Sequence, residues 1–170
     1  MPCYLFTLHA YRSWNADHPR GFVREQGKIE PPNAKLARFY DRNAEQPPVT
    51  FGPFHQRVMI WITHDASIRR DWRLHAVATE STHIHMLVSW RSDEPWRDVR
   101  KRLKVLCSLM LGRKLGKNGR KWFVRKGSRK RVRDRAHFDH LISRYLPKHH
   151  GLRWTEGDAP PLEPPPRGRS

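Results

Sequence analysis

The chain has 170 residues, room for one domain with a real core, and sets 34 Lys and Arg against 16 Asp and Glu, a formal net charge of +18. So large an excess repels itself in the compact state and points to a polyanionic partner; seven Trp, seven Phe and four Tyr favour nucleic acid over a membrane, since aromatic rings stack on bases. No apolar run approaches the roughly 18 residues of a membrane span, no N-terminal secretory pattern is present, and Cys3 and Cys107 form no CxxC pair or disulfide framework, so a reducing cytoplasm is the expected compartment.

Cys3 to Ala10 reads as a first strand. Tyr11 to Pro32, rich in Gly, Pro, Arg and aromatics, reads as a long ordered loop carrying Trp14, Arg20, Gly21 and Arg24. Those side chains could form an aromatic and basic ledge for single-stranded DNA, or Trp14 could plug the core edge beside solvated arginines; both readings stay open. Asn33 is a natural N-cap for a helix through about Arg42, ended by Gln46-Pro47-Pro48, with Val49-Thr50-Phe51 as a short edge strand. Phe54 to Arg70 reads as a core helix and Trp72 to Thr79 as the next strand.

Thr82 to Trp90 is a strand filled with apolar and β-branched residues. Glu80-Ser81 leaves room only for a tight connection, so the two strands form an antiparallel hairpin. Side chains alternate along a strand, which puts His83, His85, Leu87 and Ser89 on one face and Ile84, Met86, Val88 and Trp90 on the other. Two imidazoles on one face of a rigid strand can hold one cation, and two solvated or partly buried histidines is the plainer alternative. His75, on the neighbouring strand, could lie on either side of the site, and a structural role is favoured over ligation.

Arg97 to Leu115 is helical, with Val99, Leu103, Leu106 and Met110 in one stripe. From Arg97 to Arg135 there are 17 Lys and Arg against only Asp98 and Asp134, a density that is costly without a counter-charge and reads as phosphate binding. Within it Arg100, Lys104, Lys121, Arg125, Arg129, Lys130 and Arg131 are the candidate contacts. Lys121–Arg125 and Arg129–Arg133 flank Lys126-Gly127-Ser128 as a basic hairpin turning at Gly127, with Trp122 in the core or stacked on a base. Arg135 to Leu146 is a helix whose apolar stripe, Phe138, Leu141, Ile142 and Tyr145, ends on a tyrosine followed by Pro147-Lys148-His149-His150-Gly151. After Trp154 the Pro-rich residues 155–170 are expected to lack a packed fold, leaving 1–154 as the domain.

His83-Ile84-His85 on a strand, followed much later by Tyr145 on a helix, resembles the HUH single-tyrosine transposases, and within them the REP-associated tyrosine transposases. Trp14 followed by Arg20-Gly21 is similar to the N-terminal region of some of those relatives. The resemblance covers roughly residues 3–154. It implies a ferredoxin-like α+β fold, a divalent metal ion (Mg²⁺ or Mn²⁺) on His83 and His85, and Tyr145 as a nucleophile that leaves a 5′-phosphotyrosine and a free 3′-hydroxyl. It also implies a third metal-site residue about one turn after the tyrosine, for which His149 is the candidate. Pro147 removes a backbone donor, so no regular α-helix is expected to run from Tyr145 to His149. Three imidazoles suit Zn²⁺ or Mn²⁺ better than a hard ion.

The order of elements by itself, adjacent antiparallel strands with helices packed on them, also argues an α+β sandwich. A histidine-triad hydrolase would want a third alternating histidine where Leu87 stands. The competing function is a non-catalytic nucleic-acid-binding protein derived from such a transposase. Single-stranded or hairpin DNA is the expected partner, with no membrane, and the chain could act as a monomer or a homodimer.

Overall fold

A computed structural model describes residues 1–23 and 29–165. The elements in chain order are β1 (Cys3–His9), β2 (Phe22–Val23), β3 (Ile29–Glu30), α1 (Ala34–Arg42), α2 (Pro53–Arg69), β4 (Trp72–Thr79), β5 (His83–Trp90), α3 (Trp96–Leu115), β6 (Ser128–Arg131), α4 (Arg135–His140) and β7 (Arg153–Thr155). Five strands form one antiparallel sheet in the order β6-β1-β5-β4-β7, and β2 pairs with β3 alone. The path β1-α2-β4-β5-α3-β6, with β1 and β5 at the centre, is the ferredoxin-like α+β arrangement, and β7 extends it at the β4 edge.

The alternation of β1 and β5 gives the sheet two unlike faces. Tyr4, Phe6 and Leu8 of β1 join Ile84, Met86, Val88 and Trp90 of β5 in the main core, against Val58, Met59 and Ile62 of α2 and Val99, Leu103, Cys107 and Leu111 of α3. Each fully buried side chain of the size of Phe6, Ile84 or Met86 contributes roughly 1.5–3 kcal/mol. The opposite face has a smaller cluster, Leu5, Ala76, Ala78 and Leu87, covered by Leu141 and Leu146 with Phe138 and Ile142 beside them. Thr7, His83 and His85 belong to this thinly covered face, because Thr7 pairs with His85 and His9 with His83 across β1 and β5. The histidines therefore sit on an inner strand, as the hairpin reading expects.

Local chemistry explains several boundaries. The Asn33 side chain accepts from the Leu36 N–H at 2.9 Å, capping α1. A bulge between Leu74 and Ala76 turns His75 toward the thinly covered face, where its nitrogens meet Ser89 Oγ at 2.8 Å and Glu156 at 3.1 Å. His75 is thus fully engaged as a structural residue. Trp122 is buried in the main core.

Two expectations are corrected. Val49-Thr50-Phe51 forms no strand: the Val49 and Phe51 side chains are buried, but their N–H groups donate singly to Tyr11 O and Ser81 O. The basic stretch forms no hairpin. Ser128–Arg131 pairs instead with β1, and Phe123 makes an isolated bridge to Ala10, so both arms lie along the β1 edge rather than against each other. Gly127 serves close approach rather than a turn, since a Cβ there would lie 2.6 Å from Thr7 O. The long loop after β1 contains the β2–β3 pair. Past β7 the chain keeps contacts: Glu156 bonds Arg73 at 2.7 Å, Trp154 Nε1 donates to Ala159 O at 3.1 Å, and Glu163 pairs with Lys114 at 2.6 Å. Among the described residues no helix is long and apolar enough to cross a membrane.

Candidate metal centre and its tyrosine

Strand β5 delivers His83 and His85 to one face two residues apart, with ring centroids 4.6 Å from each other. The third member arrives by an irregular route. Asp134 caps α4 by accepting from the His137 N–H at 2.7 Å. The helix then widens into a π turn over Leu141–Tyr145, closed by Leu146 N–H to Leu141 O, and tightens into a 3₁₀ turn over Leu146–Lys148 that contains Pro147. In an α-helix residues five apart face different ways; the wider turn aligns Leu141 and Leu146, and both are buried on the sheet. The same widening leaves Tyr145 outside that apolar cluster and beside the histidines. His149 follows in extended conformation.

What brings His149 back is the neighbouring strand. Thr79 N–H and its hydroxyl both donate to Leu152 O, at 3.0 and 2.6 Å, and Leu152 N–H donates to the buried Gln56 side chain at 2.9 Å. Gly151 lies so close to β4 that a Cβ would stand 2.1 Å from Thr79 O. Held this way, the ligand atoms of His83, His85 and His149 all lie within 4.8 Å of one another, the one such group of three among the described residues. The Tyr145 hydroxyl is 3.5 Å from His85 Nε2. The tyrosine ring centroid is 5.3 Å from those of His85 and His149.

The donor set fits a metal ion. His85 Nδ1 meets Thr7 Oγ1 at 2.7 Å; with Nδ1–H donating, Nε2 turns its lone pair into the cluster. His149 Nδ1 faces the Glu80 carboxylate at 3.5 Å, and its Nε2 is buried without a hydrogen-bond partner. An orphaned buried nitrogen is costly unless something fills its lone pair. His83 Nδ1 meets Thr82 Oγ1 at 2.9 Å. Burial, then repulsion from the neighbouring imidazoles, lowers His83 to about 4 and His85 to about 2. Burial also lowers His149 against the pull of Glu80. All three are therefore neutral at neutral pH, the form that ligates. Burial raises the Tyr145 phenol above its ordinary value, although the residue is 37% exposed and open to a substrate.

Thr7 and Glu80, which hold the histidines, were not legible as site residues. The one available signal is that Thr7 is a polar residue inside the apolar run of β1, in step with His9. His9 is a fourth imidazole at the rim, its ring centroid 5.7 Å from His83.

The candidate DNA contacts divide. Lys130 pairs with Leu5 and so shares the histidine face, whereas Arg129 pairs with Phe6 and Arg131 with Tyr4, which puts both on the helical face. Arg100 donates to Gly127 O at 2.7 Å, and Lys104 to Val124 O and Arg125 O at 2.5 and 2.9 Å, so both hold the loop before β6. Lys121 is ion-paired with Glu45, and the Arg125 side chain is exposed. Trp14 does not plug the core: it is 49% exposed, stacked on His18 at 3.6 Å between centroids, and donates Nε1–H to Gly21 O at 2.8 Å. Its neighbour Ser13 donates to Thr82 O at 3.3 Å, so this ledge adjoins the start of β5. Arg20 is exposed, and Arg24 lies outside the described residues.

No family model matches the chain, and no curated protein matches it in sequence. Among solved structures it is similar to a REP-associated tyrosine transposase bound to a REP hairpin, with a TM-score of 0.45 and 10% identity over 83% of this chain. The chain spans 62% of the length of that protein. It is also similar to a candidate transposase from Deinococcus radiodurans R1, with a TM-score of 0.41 and 13% identity over 89% of this chain and 92% of that one.

Proposed function

We propose that the chain cuts and rejoins single-stranded, hairpin-bearing DNA through a covalent tyrosine intermediate. The Tyr145 oxygen attacks a backbone phosphorus; its O–P bond forms as the bond from phosphorus to the 3′ oxygen breaks. The phenol gives up its proton to solvent and the departing 3′ oxygen takes one up, leaving a 5′-phosphotyrosine and a free 3′-hydroxyl. Bond energy is kept, so another DNA end can reverse the step; a hydrolase needs no such tyrosine. His83, His85 and His149 would hold the divalent ion, Mg²⁺ or Mn²⁺ by the resemblance, with Zn²⁺ also suited to three imidazoles. Bound there, the ion supplies Lewis-acid stabilisation of charge on the phosphate oxygens. Thr7 and Glu80 orient two of the rings, and Lys130, on the same face, offers charge to the strand.

The observation that carries this reading is the convergence of a half-exposed tyrosine hydroxyl, 3.5 Å from His85 Nε2, on three neutral imidazoles of which one has an unfilled buried nitrogen. The test is incubation with an end-labelled DNA hairpin carrying single-stranded flanks, plus Mn²⁺, followed by denaturing electrophoresis. A denaturation-resistant protein–DNA adduct is expected, and Tyr145→Phe should bind the same DNA without forming it. Cleavage with no adduct would mean attack by water, and the strand-transfer reading would fall. Binding with neither adduct nor cleavage would leave a non-catalytic nucleic-acid-binding protein.

A further inference from the structure

Trp96, the first residue of α3, is half-buried against the main core and surrounded by three guanidinium groups. Arg129 lies over its ring at 3.9 Å from the centroid, Arg97 at 4.9 Å and Arg100 at 5.1 Å. Cation–π contact holds each of them weakly, but it does not cancel their mutual repulsion. The charges of Arg129 and Arg97 both act to lower Arg100 from its ordinary value, after burial. Among the described residues no carboxylate pairs with any of the three. Asp98, the nearest acid in sequence, faces the other way, into a groove with Arg70, Lys101 and Arg102. Arg100 is further fixed by its bond to Gly127 O, so the cluster is partly preorganised.

We propose that this cluster is a second phosphate site, on the helical side of the sheet, that grips the sugar–phosphate backbone of the nucleic acid whose single strand lies at Tyr145; it rests on the reading of the chain as a DNA-processing protein. The alternation of β6 supplies the route. Ser128 and Lys130 face the histidine side, in line with Thr7 and Leu5, and Arg129 faces Trp96. A backbone crossing this edge strand meets Lys130 on one side and the Trp96 arginines on the other. The uncapped N-terminus of α3 adds its positive dipole end to the same place. Arginine suits the task because its planar fork binds phosphate in a bidentate manner while its face stays stacked on the indole.

The test compares two doubly substituted full-length proteins, Arg97→Ala/Arg129→Ala, beside Trp96 at the start of α3, and Arg113→Ala/Lys117→Ala, at and just past its end, which remove equal charge from exposed positions. Binding of a fluorescein-labelled DNA hairpin with single-stranded flanks is measured across a salt series. Each lost phosphate contact lowers the slope of log K against log salt by about 0.9, so R97A/R129A should lose roughly 2 in slope and about tenfold or more in affinity near physiological salt. R113A/K117A should keep its slope. An unchanged slope in R97A/R129A, or an equal fall in both variants, overturns the proposal. Absence of adduct from the unsubstituted protein sinks the tyrosine chemistry, whereas the slope comparison still decides the cluster.

Discussion

Thr7→Val tests the support of the candidate metal centre most directly. Valine nearly matches threonine in volume, so the packing around the 5%-exposed Thr7 is kept while the 2.7 Å partner of His85 Nδ1 is removed. A buried N–H left without an acceptor costs about 1–3 kcal/mol. For a chain of this size each kcal/mol lowers the melting temperature by about 2–4 °C, so a fall of roughly 2–12 °C is expected. The ring also loses the bond that selects its tautomer and aim, and loss of such an orienting partner lowers metal affinity by about 10–100-fold. Calorimetric melting gives the first quantity, and titration of the metal-free protein with Mn²⁺ or Zn²⁺ gives the second. Thr7→Ser, which keeps the hydroxyl, should restore most of the affinity. A Thr7→Val protein that melts and binds metal like the original would show that this bond orients nothing.

Two further predictions concern the same site. His83 and His85 are held at about 4 and about 2 when folded and return to about 6.5 when unfolded, so below pH 6.5 the unfolded chain takes up protons the folded one refuses. Stability of the metal-free protein is therefore full above about pH 6.5 and declines as pH falls toward 4, by at most about 1.4 kcal/mol per pH unit for each residue; melting followed from pH 7 to 4 should show a distinctly flatter decline in His83→Asn/His85→Asn, and parallel curves would count against the burial argument. Gly151→Ala forces a Cβ into the 2.1 Å gap to Thr79 O, so it should cost about 1–3 kcal/mol and weaken metal binding by displacing His149; unchanged melting and affinity would mean that this close approach does not place the histidine.

The legible parts of the site were those set by local periodicity. His83 and His85 follow from the two-residue period of a strand, and the single turn at Glu80-Ser81-Thr82 makes β5 an inner partner of β4. His149 was not placed by spacing, because its route depends on the π turn at Leu141–Tyr145 and on Thr79, Gln56 and Leu152, which are far apart in the chain. The basic stretch misled for a related reason. Two charged arms around a glycine resemble a hairpin locally, but the unpaired edge of β1 competes for them, and only that distant pairing tells Lys130 from Arg129. Val49 and Phe51 carry strand-like side chains whose burial is satisfied by a loop.

The alternation along β5 also separates two kinds of inheritance. Ile84, Met86 and Val88 answer to the helices behind them, and His83 and His85 answer to whatever enters from the front. A lineage that stopped needing the front face could lose either imidazole while the back face kept the sheet assembled and the arginine-rich surface intact. Such a descendant would remain a folded, strongly basic protein, and its backbone alone would give no sign of the loss. On the proposed function, the histidines standing together with Tyr145 are the feature that would tell working copies of this architecture from retired ones.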